Sequence, residues 1–231
     1  FVARKTNFLR IFMVITIDGP AGVGKTTTAK KLASKLGYQY LDTGAMYRAV
    51  TYFLRESSVD ISSEAHVRKM LDILNLELDF TSEDEIKIIL DNKDISTLIR
   101  SKEITSAVSE VSAIKAVREK MVKIQKDTVK NGNFIVEGRD IGTVVFPDAK
   151  YKFFLTADYD VRAQRRLEDF KRVNEELNVN KIKQDLIDRD QYDSSRKLSP
   201  LKQASDAIVI DTSNCTFDDQ VNQIYKHIER N

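Results

Sequence analysis

A glycine-rich run that ends in a lysine and a threonine carries the clearest chemistry in this sequence. The run is Gly19-Pro20-Ala21-Gly22-Val23-Gly24-Lys25-Thr26, followed by Thr27. Backbone N–H groups can surround a phosphate only where side chains leave room, and glycines provide that room. The lysine can reach the outer phosphates of a nucleoside triphosphate, and the hydroxyl of Thr26 can ligate magnesium. The spacing therefore predicts a nucleotide phosphate-binding loop, with Lys25 as a candidate catalytic residue.

Both flanks of this phosphate loop have the character that the loop requires. The preceding residues 14–18 are β-branched and apolar, as is typical of a buried parallel strand. An apolar stripe at helical spacing predicts a helix from Thr26 to Leu36, with Gly37 as its stop. The N-terminus of that helix adds a positive dipole end near the phosphates. The alternative, a glycine-rich turn with an accidental lysine, does not predict these flanks.

The composition restricts the class of protein. The chain has 231 residues, of which 42% are hydrophobic, enough for one large α/β domain or for a core with inserted subdomains. Its 37 basic and 35 acidic residues nearly balance, so we expect no nucleic-acid partner. The single cysteine, Cys215, excludes an intramolecular disulfide and suits the reducing cytoplasm. No apolar run approaches the length of a membrane span, so we expect no membrane partner.

Strands and helices alternate along the rest of the chain. Further core strands are predicted at 38–42, 133–137, 151–155 and 207–212. Strict alternation in 74–80 and 86–91, around the polar turn 81–85, predicts an antiparallel hairpin with one wet face. The core strands are joined by connections of helical length. We therefore predict an α/β fold with a doubly wound parallel sheet, whose carboxyl edge is covered by the hairpin and a helical lid.

This organisation predicts four parts of the chain. Residues 1–12 are interpreted as an N-terminal extension. The phosphate-loop core is expected to comprise 13–63, 106–157 and 198–231. The hairpin insert would span 64–105, and the arginine-rich helical lid would span 158–197.

Candidate ligand-binding residues lie after a core strand and in the lid. Arg139 and Asp140 directly follow the strand at 133–137, where parallel sheets open into a ligand crevice. Arginine outnumbers lysine in two stretches of the lid, and bidentate phosphate recognition prefers arginine. A solvated helix face is the ordinary alternative for such charges. For Arg48, spacing alone leaves a phosphate ligand and a surface arginine equally open. The two stretches contain Arg162, Arg165 and Arg166, and then Arg189 and Arg196.

Several motifs together resemble the bacterial cytidylate kinase family, within the nucleoside monophosphate kinase superfamily. The resemblance runs from about Val14 to the C-terminus, and the 64–105 insert matches the longer monophosphate-binding subdomain of that family. Two departures are Glu137, where aspartate is common, and Ser199, where alanine is frequent. The motifs are Ile17-Asp18-Gly19-Pro20, Asp42-Thr43-Gly44-Ala45-Met46-Tyr47-Arg48, Gly138-Arg139-Asp140-Ile141-Gly142-Thr143-Val144-Val145-Phe146-Pro147, Arg189-Asp190 through Asp193, Arg196 to Pro200-Leu201, and Asp206-Ala207.

The resemblance implies an activity: in-line transfer of a phosphoryl group from ATP, with Mg²⁺, to CMP and dCMP in pyrimidine nucleotide metabolism. It implies an enzyme whose lid closes over both nucleotides, and self-contained flaps favour a monomer. ATP would be bound by the phosphate loop and by the region of Arg162, Arg165 and Arg166, and which of these arginines contacts phosphate stays open. Thr26 would be a metal ligand. Catalytic roles fall on Lys25, Arg139, Arg189 and Arg196.

The resemblance also implies residues for the acceptor nucleotide. Arg48 and Arg139 would bind the monophosphate, joined by Arg196 when the lid closes, with Thr43 close by. Asp193 would accept hydrogen bonds from the ribose hydroxyls, with Arg189 beside it. The residues that would recognise cytosine are Ser109, Arg118 and Asp140.

Two alternatives remain from the residues alone. One is a kinase of the same superfamily that acts on a different small acceptor. The other is a nucleotide-dependent switch protein, since Asp140-Ile141-Gly142-Thr143 begins like the D-x-x-G element of GTPases. A switch also needs an N-K-x-D element after a core strand. Asn92-Lys93-Asp94-Ile95 fails that pattern and lies in the predicted insert.

Overall fold

The core of the protein is a five-stranded parallel sheet. The computed structural model describes residues 12–80, 86–171 and 178–229. The core strands are β1 (Val14–Asp18), β2 (Gln39–Asp42), β6 (Phe134–Gly138), β7 (Tyr151–Thr156) and β8 (Ile208–Asp211). They lie in the order β2-β6-β1-β7-β8, and every neighbouring pair is parallel. The predicted α/β class and parallel sheet are therefore confirmed, and the C-terminal ends of the strands meet at one edge.

Helices cover both faces of this sheet. Successive side chains of a strand point to opposite faces, so Ile135 packs in one hydrophobic cluster while Phe134 and Val136 pack in another. In the part of the chain that the structure describes, no helix is long and apolar enough to cross a bilayer. The helices are α1 (Lys25–Leu36), α2 (Thr43–Glu56), α3 (Glu64–Asp72), α4 (Lys102–Val111), α5 (Lys115–Thr128), α6 (Tyr159–Lys171), α7 (Val179–Ser195) and α8 (Phe217–Glu229).

The insert forms a small second sheet with one strand more than predicted. Strands β3 (Leu76–Asp79) and β4 (Lys87–Leu90) are antiparallel, as expected. A third strand, β5 (Lys93–Asp94), pairs with β4 across a tight turn. Asp91 and Asn92 form that turn with φ values of 48° and 65°, which suits the twist of a two-residue hairpin. A two-residue strand is too short to show periodicity. The predicted turn 81–85 lies outside the described residues, as do residues 1–11.

The predicted lid contains two helices, α6 and α7, where the sequence predicted helix over 158–189. Helix α7 begins after Asn178, whose side chain accepts the N–H of Asn180, and continues to Ser195. The two helices share a small buried cluster of Ala163, Ile182 and Leu186. Residues 172–177 of the predicted lid lie outside the described part of the chain.

Candidate active site

The phosphate loop connects β1 to α1 and depends on glycine at two positions. Gly19 has φ +147°, and a Cβ there would lie 2.3 Å from the carbonyl oxygen of Leu155. Gly24, with φ +91°, precedes α1, and its Cβ would lie 2.8 Å from the ring of Phe217. Residues of the loop line a cavity of about 320 Å³, which we call the donor cavity. The predicted loop therefore has the strand, the helix and the open space that phosphate binding needs.

Lys25 lies at the start of α1 with its side chain turned back over the loop. Its Nζ donates a hydrogen bond of 2.6 Å to the carbonyl oxygen of Pro20. The residue is buried, and burial together with the nearby charge of Arg139 lowers the pKa of its ammonium well below the usual value. A phosphate in the donor cavity would oppose both effects, because it supplies a negative partner for the ammonium.

Glu137 joins the phosphate loop to the neighbouring strands. Its Oε1 accepts a 2.7 Å hydrogen bond from the hydroxyl of Thr26 and another from the hydroxyl of Tyr40. Burial, followed by the negative charge of Asp42, raises the pKa of Glu137. Thr26, Glu137 and Asp42 all line the donor cavity. Sequence reasoning missed Tyr40, because its position in a strand gives no indication of its partner.

A second cavity of about 60 Å³, the acceptor cavity, adjoins the donor cavity. The two share Gly138, Arg139 and Arg189 as lining residues. The acceptor cavity is also lined by Arg118 from α5 and Asp140, whose side chains form a buried ion pair. Sequence positions far apart are therefore brought together here, as the resemblance implied.

The charge of Asp140 is balanced by its neighbours. Burial raises the pKa of Asp140, while the charge of Arg118 and a hydrogen bond from Ser199 oppose that rise. The guanidinium of Arg118 also lies 5.2 Å from the ring centroid of Tyr47. Ser109 meets this region through its backbone, since its carbonyl oxygen accepts a 3.1 Å hydrogen bond from Arg196. The departure of this chain at Ser199 thus lies against a predicted base-recognition residue.

Asp193, in α7, contacts three arginines, of which Arg189 and Arg196 belong to the same helix or its C-cap and Arg139 to a distant part of the chain. Its carboxylate accepts a 3.1 Å hydrogen bond from Arg139 and another from Arg196, and Nε of Arg189 lies 4.0 Å away. Burial and the charge of Arg139 lower the pKa of Arg189 to about 10. One buried carboxylate therefore faces three guanidinium groups, an arrangement that favours a further anion.

Arg48 and Thr43 lie in the first turns of α2, and Arg48 is not among the residues that line either cavity. The carboxylate of Asp42 caps this helix by accepting the N–H of Ala45 at 2.8 Å, and also pairs with Arg48 at 3.1 Å. The hydroxyl of Thr43 donates to the carbonyl oxygen of Glu137 at 2.7 Å. Thr43 lines the acceptor cavity. Asp42 thus holds Arg48, whereas the backbone of Glu137 holds the hydroxyl of Thr43.

The three arginines of α6 occupy different surroundings. Arg162 is buried and donates to the carbonyl oxygen of Ala21 at 2.7 Å and to Asp190 at 2.6 Å. Arg165 donates to the carbonyl oxygen of Thr212 at 2.6 Å. Arg165 and Arg166 line the donor cavity. Among the three, Arg165 and Arg166 therefore face the donor cavity, whereas Arg162 contacts the backbone of the phosphate loop.

Comparison with known proteins identifies the family. A family model described as cytidylate kinase matches residues 15–230. A cytidylate kinase of Protochlamydia amoebophila is 46% identical over 219 residues, 93% of this chain and 96% of the relative. The chain belongs to the cytidylate kinase family. A member from Fusobacterium nucleatum is 44% identical over 94% of this chain and 98% of its own length. Membership of the cytidylate kinase family argues against the alternative of a nucleotide-dependent switch.

Solved structures of similar fold are more distant. A shikimate kinase from Bacteroides thetaiotaomicron superposes with a TM-score of 0.50 at 13% identity, over 94% of this chain and 98% of that one. An uncharacterised protein from Eubacterium ventriosum gives 0.53, also at 13% identity, over 95% of this chain and 99% of that one. At this identity the likeness concerns the fold alone. It agrees with the phosphate-loop sheet that this cytidylate kinase family member displays.

Proposed function

We infer that the chain transfers the γ-phosphoryl group of ATP to the phosphate of CMP, giving ADP and CDP. Membership of the cytidylate kinase family supports this activity. The structural observation that carries it is the shared wall of the two cavities, formed by Gly138, Arg139 and Arg189. A phosphoryl group can pass directly between two ligands only where their sites meet, and these two meet at arginines.

We propose that positive side chains at this wall stabilise the transferring phosphoryl group. Phosphoryl transfer asks a protein mainly for positioning and for charge stabilisation. Lys25 would bind the outer phosphates of ATP. Arg139, Arg189 and Arg196, now partly neutralised by Asp193, would exchange that carboxylate for the phosphate of CMP. Arg48 and Thr43, close by on α2, would complete the phosphate site.

We propose a magnesium site beside the phosphate loop. The hydroxyl of Thr26 and the carboxylates of Glu137 and Asp42 line the donor cavity, and oxygen atoms of this kind suit a hard cation. Thr26 and Glu137 would hold the ion, which would neutralise charge on the ATP phosphates. Glu137→Gln should therefore raise the Mg²⁺ concentration needed to bind an ATP analogue, which calorimetry can measure without turnover. Unchanged Mg²⁺ dependence would remove Glu137 from the site.

We propose that Asp140 and Arg118 recognise cytosine. The 4-amino group of cytosine needs an acceptor, which Asp140 provides, and N3 or O2 needs a donor, which Arg118 provides. Ser109, near the same cavity, can do either through its hydroxyl. UMP would place a carbonyl oxygen against Asp140 and an N–H against Arg118, and buried mismatches of this kind are costly. Asp193 would accept hydrogen bonds from the ribose, and dCMP would be a second acceptor.

We propose that residues 64–105 act as the subdomain that binds CMP and 158–197 as a lid over both nucleotides. Arg189, Asp193 and Arg196 of the lid lie at the acceptor cavity, which supports this division. Hydrogen exchange across the lid should slow when a bisubstrate analogue binds. We propose a monomer, because the insert and the lid are self-contained flaps, and a cytoplasmic location, which the single cysteine suits.

The deciding experiment is a coupled ADP-release assay with CMP, dCMP, UMP, AMP and GMP as acceptors. We expect turnover with CMP and dCMP, and a preference for CMP over UMP of roughly 10²-fold in kcat/KM, because a mismatched base leaves buried polar groups unpaired. Lys31→Met, an exposed substitution on α1, serves as a control for preparation and should behave like the wild type. Preferential turnover of AMP, GMP or a non-nucleotide acceptor would instead support the other kinase alternative.

A further inference from the structure

A buried carboxylate that the proposed mechanism does not use lies beneath the acceptor loop, as we call residues Gly138–Pro147. Asp18 is 4% exposed, and its two oxygens accept the backbone N–H groups of Ile141 and Gly142 at 2.8 and 2.7 Å. These partners are more than a hundred residues away, at separations of 123 and 124. Both oxygens are therefore committed to the backbone of one loop.

The position of Asp18 in the chain gives these hydrogen bonds a consequence for both sites. Asp18 is the last residue of β1, and Gly19 begins the phosphate loop immediately afterwards. The two N–H groups that it binds immediately follow Arg139 and Asp140, the proposed residues for the acceptor phosphate and base. One side chain thus joins the start of the donor site to the loop that carries the acceptor site.

The acceptor loop behaves as a compact unit above Asp18. Residues Ile141–Val145 form a π-helical turn, in which the N–H of Phe146 donates to the carbonyl oxygen of Ile141 at 2.7 Å and the N–H of Val145 donates to that of Asp140 at 3.3 Å. At the far end of the loop, the buried Lys152 of β7 donates to the carbonyl oxygen of Pro147, and also pairs with Asp206 at 2.7 Å. The loop is therefore held at both ends by charged side chains that rise from the sheet.

The approach of the loop to β1 leaves little room for a side chain at Gly142. A Cβ added at Gly142 would lie 3.0 Å from Oγ1 of Thr16, 3.3 Å from Oδ2 of Asp18 and 3.3 Å from Cδ of Lys152. A shift of the loop away from β1 would lengthen both hydrogen bonds to Asp18. A shift towards β1 would meet Thr16. The distance between the loop and the sheet is therefore restricted on one side by the hydrogen bonds to Asp18 and on the other by Thr16.

The ionised form of Asp18 is disfavoured at this buried position. Burial raises its pKa to about 6, in spite of the two N–H groups that favour the charged form. Its ionisation in the folded protein therefore opposes stability at neutral pH. A group that costs stability and fixes a loop at the active site fits a role in function.

We propose that Asp18 is a positioning residue for phosphoryl transfer. It sets the distance and orientation of Arg139 and Asp140 relative to the phosphate loop, and so aligns the acceptor phosphate with the donor. The proposal rests on the proposed CMP kinase activity. Misplacement of a reacting group by about 1 Å can cost on the order of 10²-fold in rate, so such a tether has a measurable effect.

Asp18→Asn tests the proposal with nearly constant side-chain volume. The NH₂ group of the asparagine would face one of the two backbone N–H groups, so one hydrogen bond of the tether would be lost. We expect KM for CMP to rise about tenfold or more, which corresponds to the loss of one hydrogen bond to a charged group. KM for ATP should change less than about threefold. The CMP-over-UMP preference should fall, and the amides of Ile141 and Gly142 should exchange faster in the ligand-free protein.

Asp211→Asn is the matched control. Asp211 also ends a strand of the parallel sheet and accepts a backbone N–H, that of Ser213 at 2.9 Å, but it is exposed and its loop carries neither Arg139 nor Asp140. This variant should keep the wild-type KM for CMP. Equal changes in both KM values for Asp18→Asn, or unchanged exchange at Ile141 and Gly142, would overturn the proposal.

Gly142→Ala approaches the same contact from the loop and keeps Asp18. Its Cβ would push the loop away from Thr16, so KM for CMP should rise while KM for ATP is retained. Adding Thr16→Ala removes the nearest atom and should restore part of the loss. An unaltered KM for CMP in Gly142→Ala would contradict the proposal, even if Asp18→Asn failed to fold. A wild-type protein that does not phosphorylate CMP would instead refute the proposed function, and the exchange measurement would still test the tether.

Discussion

The donor and acceptor sides of the active site are built in different ways. The donor side is one continuous loop, whose backbone conformation requires glycine at Gly19 and Gly24. The acceptor side brings together side chains from α2, α5, α7 and the acceptor loop, through ion pairs such as Arg118–Asp140 and Arg139–Asp193. A loop of consecutive residues can be recognised in a sequence by its spacing. An assembly of distant charges cannot, because only the fold makes its members neighbours.

The two sides also differ in what a ligand must displace. On the donor side the backbone conformation is set by Gly19 and Gly24, and the partner that a phosphate would replace at Lys25 is the neutral carbonyl oxygen of Pro20. On the acceptor side, Arg139 and Arg196 are hydrogen-bonded to Asp193, and Arg118 to Asp140. A nucleotide there must exchange one set of charged partners for another. Substitutions should therefore act through kcat on the donor side, and through KM and specificity on the acceptor side.

The largest effect is expected from Lys25→Met on the donor side. Removing a charge that stabilises the transferring phosphoryl group should lower kcat by about 10² to 10³-fold, the range found for single electrostatic contributions in active sites. KM for CMP should change little. Steady-state kinetics with both substrates saturating measures this, with Lys31→Met on the same helix as the control. Turnover near the wild-type value in a folded variant would place the main charge stabilisation on the acceptor arginines.

A pH effect on stability is expected from Asp18, which lies between the two sides. Asp140, Lys25 and Lys152 are the charged groups around it. Its pKa rises from 3.8 to about 6 on folding, so the folded state binds the additional proton. The stabilisation from this proton is complete below about pH 4 and is lost as the pH rises through 6, a change of about 3 kcal/mol.

Urea unfolding of the wild type and Asp18→Asn between about pH 4 and pH 7 isolates this change as their difference. The free energy of unfolding of the wild type should fall relative to the variant as the pH increases. In Asp211→Asn the trend should be small and opposite, since hydrogen bonds from Ser213 lower the pKa of Asp211. A pH-independent difference between wild type and Asp18→Asn would mean that Asp18 stays ionised throughout.

A change in specificity is expected from the Arg118–Asp140 pair. Arg118→Met and Asp140→Ala should each reduce the CMP-over-UMP preference from roughly 10²-fold to below about tenfold, because each removes one of the groups that distinguish the bases. Competition between the two nucleotides in one assay gives the ratio of kcat/KM directly. Arg68→Met breaks an exposed arginine–glutamate pair and should leave the ratio unchanged. Full preference in both active variants would show that the base is recognised elsewhere.

The smallest effect is expected from Asp193→Ala. Losing a hydrogen bond between a charged group and the ribose should raise KM for CMP roughly tenfold, with a smaller change in KM for ATP. Asp188→Ala, an exposed position on the same helix, is the control. Equal effects on both substrates would indicate that Asp193 acts mainly by holding Arg139 and Arg196. In that case Asp193 would affect both substrates through Arg139, which lines the donor and the acceptor cavity.

Much of the fold was predictable because it depends on local patterns. Apolar strands, the helical stripe of α1 and the alternation of the insert each occupy neighbouring residues. The contacts of Tyr40, Asp18 and Arg162 were not predictable, since each joins segments that are distant in sequence and its residue type suits many environments. Arg162 illustrates this: the sequence left open which arginine of α6 contacts phosphate and gave no indication that the guanidinium of Arg162 lies against Ala21 and Asp190. The roles of the acceptor residues were suggested by family resemblance, and they stay predictions.

The hydrogen bonds of Arg162 also have a mechanical consequence for the lid. Asp190 of α7 accepts hydrogen bonds from Arg162 of α6 and from the N–H of Ala21 in the phosphate loop. We therefore take Asp190 as the pivot of the proposed lid. Along α7, Asp193 lies about 4.5 Å from the pivot and Val179 about 16 Å from it, at the rise of an α-helix. A rotation about Asp190 would carry the substrate-binding end through roughly a quarter of the arc of the far end. In the proposed lid closure, the far end of α7 would therefore move about four times as far as the arginines beside Asp193.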